Sequence, residues 1–370
     1  MPTAEPRITG REQALLDAAR AGDEDAYAQL VEPYRGELHA HCYRMLASVH
    51  DAEDALQEAS LRAWRGLARF EGRSSLRSWL YTIATNTCLN LIAKRPKRVL
   101  PLDYGPATDP HDGLGMPLAE TVWIEPYHDE TMGVEDGFAA PDARYEQRES
   151  VELAFVAALQ HLAPNQRAVL ILREVLGFSA AESAETLETS VASVNSALQR
   201  ARKTVDDKLP ERSQQATLRS LGDEKLQAIV DAYMDALARG DVPRVVSMLA
   251  EDAAWSMPPL PTWFTGLEGI EGFLRFGPLS GEWRWRHLPA RVNGQLTSAA
   301  YQWSDEEQAY LPFALDVLTL EGDRIKEVTA FITRMADSDE REHYERWPDQ
   351  PLDRARFTFE RFGLPGSLAA

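Results

Sequence analysis

Cysteine is scarce in this chain: Cys42 and Cys88 are the only two among 370 residues. Neither belongs to a CxxC pair or a histidine-rich spacing, so a disulfide framework or a zinc site is not expected, and buried free thiols are. Long apolar runs are missing too. No stretch approaches the roughly 18 consecutive apolar residues of a membrane span. The N-terminus shows no charged-then-apolar pattern of a secretory signal. These absences predict a soluble, cytoplasmic protein with no membrane partner, no metal and no cofactor. An apolar fraction of 44% over 370 residues supplies packed cores for two or three domains.

Charge is abundant and sorted by position. The formal net charge of −19 argues against indiscriminate coating of DNA. Residues 60–100, however, hold nine Lys or Arg and one acid, a net of +8. Residues 101–150 hold twelve acids and two arginines, a net of −10. Local sign decides contact with nucleic acid, so the basic segment stays a candidate.

Phe178 to Val205 reads as two short helices joined by a tight turn. Ser179 and Glu182 form an S-x-x-E capping box at the start of the first, which is predicted over 180–187. Glu188, Thr189 and Ser190 supply the turn and a hydroxyl cap for the second. Val191, Val194, Leu198, Ala201 and Val205 then make one apolar stripe at helical spacing. The remaining faces carry Ser193, Asn195, Ser196, Gln199, Arg200 and Arg202. Amides can read base edges and arginine can read guanine or hold phosphate. The same pattern also fits a plain helical hairpin with a solvated polar face.

Residues 12–98 read as nearly continuous helix. In the segment from Asp51 to Arg65, the acids Asp51, Asp54 and Glu58 crowd the first turns, where the helix dipole favours them. Gln57 shares their exposed face, while Ala52, Ala55, Leu56, Ala59 and Ala63 form the buried side. Phe70 to Ser75 is a loop containing Gly72, Arg73 and Ser74. A helix predicted over 76–92 follows it, with Trp79, Asn86 and Asn90, and then a basic tail. Rings interleaved with amides and cations suit single-stranded DNA. Trp79 is equally suited to a core.

DAEDALQEASLRAW and RFEGRSSLRSWLYTIATNTCLNLI together resemble region 2 of the extracytoplasmic-function sigma factors, the smallest sigma-70-type initiation factors. LAPNQRAVLILREVLGFSAAESAETLETSVASVNSALQRAR resembles their region 4. The resemblance covers about 150 residues, in the expected order and spacing. It implies that Asp51, Asp54, Gln57 and Glu58 face the β′ clamp helices of bacterial RNA polymerase core, with the β flap as a further partner. It implies that Phe70, Arg73, Ser74, Trp79, Asn86 and Asn90 melt and read the −10 element. Ser193, Asn195, Ser196, Gln199, Arg200 and Arg202 would meet the −35 element of promoter DNA. Other members carry arginine or an aromatic residue at the positions of Asn195 and Gln199, so their −35 preference does not transfer.

The expected organisation is two all-α domains followed by an α+β domain. Region 2 spans 11–98 and region 4 spans 150–209. Between them, 99–149 reads as an acidic Pro- and Gly-rich linker, either a plain tether or, by resemblance, a mimic of nucleic acid in the RNA-exit path. Trp123 to Tyr127 is apolar enough to hint at a docking point. Residues 210–220 read as a polar stretch. From 222 to 336, helices followed by strand-like runs at 253–257, 283–293, 297–303, 311–320 and 325–332 resemble a SnoaL-like (NTF2-like) cone. Trp255, Trp263, Trp283 and Trp303 could line its pocket for a small molecule, or serve as core. Asp252, His287 and Asp316 are acid–base candidates by residue type alone, and enzymatic activity is not expected. The domain and the tail at 337–370 are expected to contact the sigma regions and modulate them. The rival reading is a helix-turn-helix regulator with a ligand-binding or vestigial enzymatic sensor domain.

Overall fold

The computed structural model describes residues 10–72, 74–115, 117–118, 122–128, 149–210, 212–333 and 358–370. The chain divides into two compact units, Met1–Lys97 with Glu130–Leu209, and Arg98–Asp129 with Pro210–Ala370. The segment expected to be a linker therefore starts inside the second unit.

The first unit is helical: α1 (Gly10–Arg20), α2 (Glu24–Val31), α3 (Arg35–Leu46), α4 (Val49–Gly66), α5 (Leu76–Ile92), α6 (Leu153–Gln160), α7 (Pro164–Leu170), α8 (Ala180–Thr186) and α9 (Val191–Asp206). Side-chain caps set several of its boundaries. Ser48 accepts from Asp51 N–H at the start of α4, and Ser75 accepts from Ser78 N–H at the start of α5. Each satisfies one of the backbone donors a helix start leaves open. α4 buries Ala52, Ala55, Ala59 and Ala63. Their small side chains let α3 and α5 pack close to it, since packing distance follows side-chain size. Cys42 and Cys88 lie inside this core as buried free thiols.

The second unit is α+β. Its helices α10 (Gln214–Leu221), α11 (Asp223–Arg239), α12 (Val242–Ser247) and α13 (Gly266–Phe276) accompany six strands: β1 (Leu249–Ser256), β2 (Trp263–Thr265), β3 (Trp285–Val292), β4 (Gln295–Ser304), β5 (Ala309–Glu321) and β6 (Arg324–Ile332). The strand order is β2-β1-β6-β5-β4-β3. Only β1 and β6 run parallel. α11 ends where Gly240 takes a left-handed conformation that a side chain would strain. Tyr233 and Leu237 of α11 and Ile270, Phe273 and Leu274 of α13 join the sheet core. α10 corrects the polar-stretch expectation for 210–220. Gln214 exchanges hydrogen bonds with both backbone groups of Leu320, and Gln215 donates to Gly294 O at 2.6 Å. Its amides thus dock the helix on the sheet, where the sequence pattern had suggested exposure.

Two flanking segments complete this unit. Trp123, Ile124 and Tyr127 are buried. Tyr127 N–H donates to Asn293 Oδ1 at 2.8 Å. From the tail, Phe359 packs edge-on against Tyr301, whose hydroxyl donates to Pro365 O at 2.9 Å. Trp347 to Asp349 lie outside the described residues.

Two expectations follow. Ala59→Leu in α4 forces extra volume into the α3–α4–α5 contact and should cost about 1–3 kcal/mol, read as a lowered unfolding midpoint. Asp316 is buried under the Tyr233 hydroxyl, which donates to it at 3.2 Å. Burial raises its pKa from 3.8 to about 7. The folded chain holds that proton where the unfolded chain has released it, so stability falls as pH rises from about 4 to about 7. Burial of His287 lowers its pKa to about 4 and contributes the opposite slope. That slope is shared by Asp316→Asn and drops out of the comparison. Urea unfolding between pH 4 and 8 should show the Asn variant losing less stability across this range.

Candidate nucleic-acid interface

α8 and α9 are fixed by their first turns. Ser179 N–H donates to Glu182 Oε2 at 2.7 Å, and Glu182 N–H donates to Ser179 Oγ at 3.1 Å. These bonds hold the Glu182 carboxyl below its usual range. Ser190 caps α9 by accepting from Ser193 N–H at 3.1 Å. Val194, Ala197, Leu198, Ala201 and Val205 are buried. Val191 is 43% exposed, because as the first residue of α9 it precedes the packed turn. Ser193, Asn195, Ser196, Gln199, Arg200 and Arg202 are all exposed on α9. Arg200 donates to Ser196 Oγ at 2.9 Å, and Arg202 pairs with Glu174. This row of amides, hydroxyls and guanidinia has the chemistry to read a major groove.

The acidic face of α4 is smaller than expected. Asp54 and Gln57 are exposed, and Glu58 is half-buried and paired with Arg62 at 2.7 Å. Asp51 instead lies inside, 2% exposed, in an ion pair with Arg95 from just beyond α5. A carboxylate buried there requires that cation. The loop before α5 also turns inward. Phe70 is buried with its ring 4.9 Å from that of half-buried Trp79. Arg20 of α1 donates to the carbonyls of Leu67 and Phe70. Ser74 and Asn86 are half-buried and Asn90 is exposed, while Arg73 lies outside the described residues. Ion pairs occupy several members of the basic segment, whereas Arg65, Arg69 and Lys94 are exposed.

Three residues that the sequence reading gave no structural role organise this unit. Arg77 makes a two-pronged pair with Glu37, with contacts down to 2.9 Å. Its guanidinium also lies 4.9 Å from the Tyr81 ring centre and 5.7 Å from that of Phe178. Arg167 is buried and donates to Met45 O and Gln160 Oε1. Burial lowers its pKa to about 10, so it remains a cation at neutral pH. Arg44 donates to Ser150 O at 3.2 Å. The only clue in the sequence is an arginine set among apolar residues, as in NQRAVLIL. Further contacts close α5 against the helix-turn-helix. Tyr81 meets Phe178 edge-on at 5.6 Å, and the Thr82 and Thr186 hydroxyls lie 3.1 Å apart.

The second unit holds an apolar cavity of about 240 Å³. Trp255 and Trp283 line it, as expected, together with Trp285, Phe273 and Phe313. Trp263 and Trp303 do not. Trp263 Nε1 donates to Gly105 O at 2.9 Å, and Trp303 Nε1 donates to Asp305 at 2.7 Å. Phe313 was missed because its side is set by a bulge: Ala300 pairs with Ala314 while Tyr301 pairs with Pro312, leaving Phe313 as the extra residue. His287 and Asp316 both line the cavity. Asp252 is exposed and paired with Lys326. Among the described residues no cluster of His, Cys, Asp and Glu could hold a metal, and no helix is long and apolar enough to cross a membrane.

Comparison with known proteins fits this architecture. Residues 30–98 match sigma-70 region 2, residues 152–205 match sigma-70 region 4, and residues 230–328 match a SnoaL-like domain. The chain is 40% identical over 362 residues to the ECF RNA polymerase sigma factor SigG of Mycobacterium tuberculosis, covering 97% of this chain and 88% of that one. It is 30% identical over 196 residues to the ECF RNA polymerase sigma factor SigW of Bacillus subtilis, covering 52% of this chain and 94% of that one. The crystal structure of the extracytoplasmic-function sigma factor SigJ of Mycobacterium tuberculosis aligns with a TM-score of 0.51 at 23% identity, over 87% of this chain and 99% of that one, a likeness of fold. The chain thus belongs to the extracytoplasmic-function sigma factors, the promoter-specific initiation subunits of RNA polymerase, and carries a SnoaL-like domain after its two sigma regions.

Proposed function

We propose that the two promoter-reading surfaces act in order, −35 first and −10 only after the helical unit opens. The observation that carries this reading is their unequal exposure. Every candidate −35 residue on α9 is exposed. α5, in contrast, has Tyr81 and Thr82 covered by Phe178 and Thr186. Asn86 sits one helical turn beyond Thr82, on the same side of α5. The two promoter elements are centred about 25 base pairs apart, roughly 85 Å at 3.4 Å per base pair. Surfaces that touch across α5 and α8 cannot span that distance, so engagement of both requires separation.

In this reading Asp54, Gln57 and Glu58 meet the β′ clamp helices. Asp51 supports them from inside by fixing the start of α4. Asn86, Asn90, Ser74 and Arg73 receive unpaired −10 bases, and Phe70 and Trp79 brace the loop that presents them. Ser193, Asn195, Ser196, Gln199, Arg200 and Arg202 dock on −35 duplex DNA, with the β flap behind region 4. The SnoaL-like domain modulates these steps and has no catalytic role of its own.

Two experiments test the order. Arg200→Ala should weaken closed-complex binding by about 1–3 kcal/mol if the side chain reads a base. Asn86→Ala should leave that step near wild type and lower the yield of open complex, measured by permanganate reactivity of unpaired thymines. Equal losses in both steps for Asn86→Ala would count against its role. Second, Thr82→Cys combined with Thr186→Cys places two thiols where the hydroxyls lie 3.1 Å apart. Oxidation should lock the unit and abolish promoter-directed transcription in vitro, and a reductant should restore it. Undiminished transcription by the cross-linked chain would show that opening is not required.

A further inference from the structure

The cavity in the second unit has the marks of a binding site. Its floor is cut by small side chains on three neighbouring strands: Ala300 of β4 opposite Ala314 of β5, and Ala330 of β6 opposite Asp316. Large rings stand around that floor, with Trp255 on β1, Phe273 on α13, Trp285 on β3 and Phe313 at the bulge. Alanine where a core would place leucine or valine leaves room inside a well-formed aromatic wall, the form small-molecule sites take.

Polar groups gather on one side of this wall. Asp316 is 5% exposed, and the Tyr233 hydroxyl is its one hydrogen-bond partner among the described residues. Ser298 lies directly opposite Asp316 in the β4–β5 register. Its hydroxyl is 3.0 Å from His287 Nδ1, which extends the polar row to β3. Among the described residues no lysine or arginine lines the cavity. An anion would therefore meet a carboxyl and no cation. Burial lifts the Asp316 pKa to about 7, so below neutral pH the carboxyl is mostly protonated and can donate to a neutral oxygen as well as accept.

A further wall residue comes from far along the chain. Leu114 lines the cavity, and it belongs to the segment that joins the two sigma regions in sequence. That segment is pinned to the domain at several points. Thr108 N–H donates to Trp263 O at 2.8 Å, Leu118 N–H donates to Pro259 O at 3.1 Å, and Thr262 donates its hydroxyl to Leu114 O. At Gly272 an added Cβ would come within 3.1 Å of the Pro110 ring, so the segment lies tight against α13.

We propose that this cavity is a receptor site for an uncharged, ring-containing molecule of about a dozen heavy atoms bearing one hydroxyl or carbonyl, held by Asp316 and touching Leu114. Binding therefore tightens the grip of the SnoaL-like domain on the connecting segment. The proposal is independent of the base-reading assignments, because it is tested by binding to the full chain without polymerase or DNA.

2-Naphthol is a suitable probe, with naphthalene, 2-naphthoate and 2-naphthylmethylamine as comparisons, titrated calorimetrically and by tryptophan fluorescence. The expected result is saturable one-to-one binding of 2-naphthol, tighter than all three comparisons. Asp316→Leu should weaken 2-naphthol about tenfold, the loss of one hydrogen bond, and leave naphthalene unchanged. Ala314→Leu fills the floor and should abolish binding. Ala330→Val, a smaller intrusion, serves if that variant fails to fold. Hydrogen exchange at the amides of Thr108 and Leu118 should slow several-fold with 2-naphthol, and Leu114→Ala should remove that slowing. Binding that survives the floor variants, or that favours the carboxylate or the amine, overturns the site or its ligand class. Unchanged exchange at both amides on binding overturns the coupling to the segment.

Discussion

The closed helical unit depends on how one guanidinium is satisfied. Arg77 is gripped by the Glu37 carboxylate from α3 while its flat face lies near the rings of Tyr81 and Phe178. A charge-assisted pair and two ring contacts act on the same planar group, a combination lysine cannot reproduce. Phe178 is also the residue just before the capping box that starts α8. The same side chain that ties α3 to α5 therefore also lies beside the residue that leads into the helix-turn-helix. Arg44 and Arg167 strengthen the arrangement from below through backbone carbonyls. Three arginines outside the −10 and −35 residue sets thus hold region 2 and region 4 together.

What could be read in the sequence follows from the range of the forces involved. Caps and stripes act over four residues, and Ser179, Glu182, Ser190 and the Val194–Val205 stripe stand where the pattern put them. α5 begins and ends at its expected residues for the same reason. Roles decided by partners distant in sequence were not legible. Asp51 reads as one more surface acid until Arg95, far along the chain, is brought beside it. Gln214 and Gln215 look like linker residues until the backbone of β5 and the β3–β4 turn accept them. In the cavity two of four expected tryptophans line the wall, because residue type alone does not fix the strand face: Trp303 lies three residues from Ala300 on β4 and so points to the side away from the cavity. The bulge that turns Phe313 inward is a property of the pairing and leaves no mark in composition.

The two units solve different packing problems. In the first, alanines along α4 bring helices close and leave little space between them. In the second, alanines on β4, β5 and β6 face rings that cannot reach across, and about 240 Å³ remains. At about 24 cal/mol per Å³, a cavity of this size forgoes on the order of 5 kcal/mol of packing relative to a filled core. The buried Asp316 carboxyl adds a further cost above neutral pH. Selection for stability alone would remove both features, by larger side chains at the alanines of the floor and an uncharged residue in place of Asp316.

The intimate packing of residues 98–128 on the SnoaL-like domain bears on how this chain can be divided. A cut near Leu209 resembles a clean separation of sigma core from appendage. It would in fact strip the backbone amides of Thr108, Leu118 and Tyr127 of their partners Trp263, Pro259 and Asn293, and leave a segment containing the large apolar side chains of Trp123, Ile124 and Tyr127 in the remaining fragment. Such a fragment carries a sticky, unanchored middle. Its solubility and its behaviour with polymerase would then report on that exposed strip as much as on the loss of the domain. The domain is interleaved in sequence with the sigma regions, because its compact unit includes a piece of chain lying between them. It could not be discarded by a single late stop codon without leaving that piece orphaned.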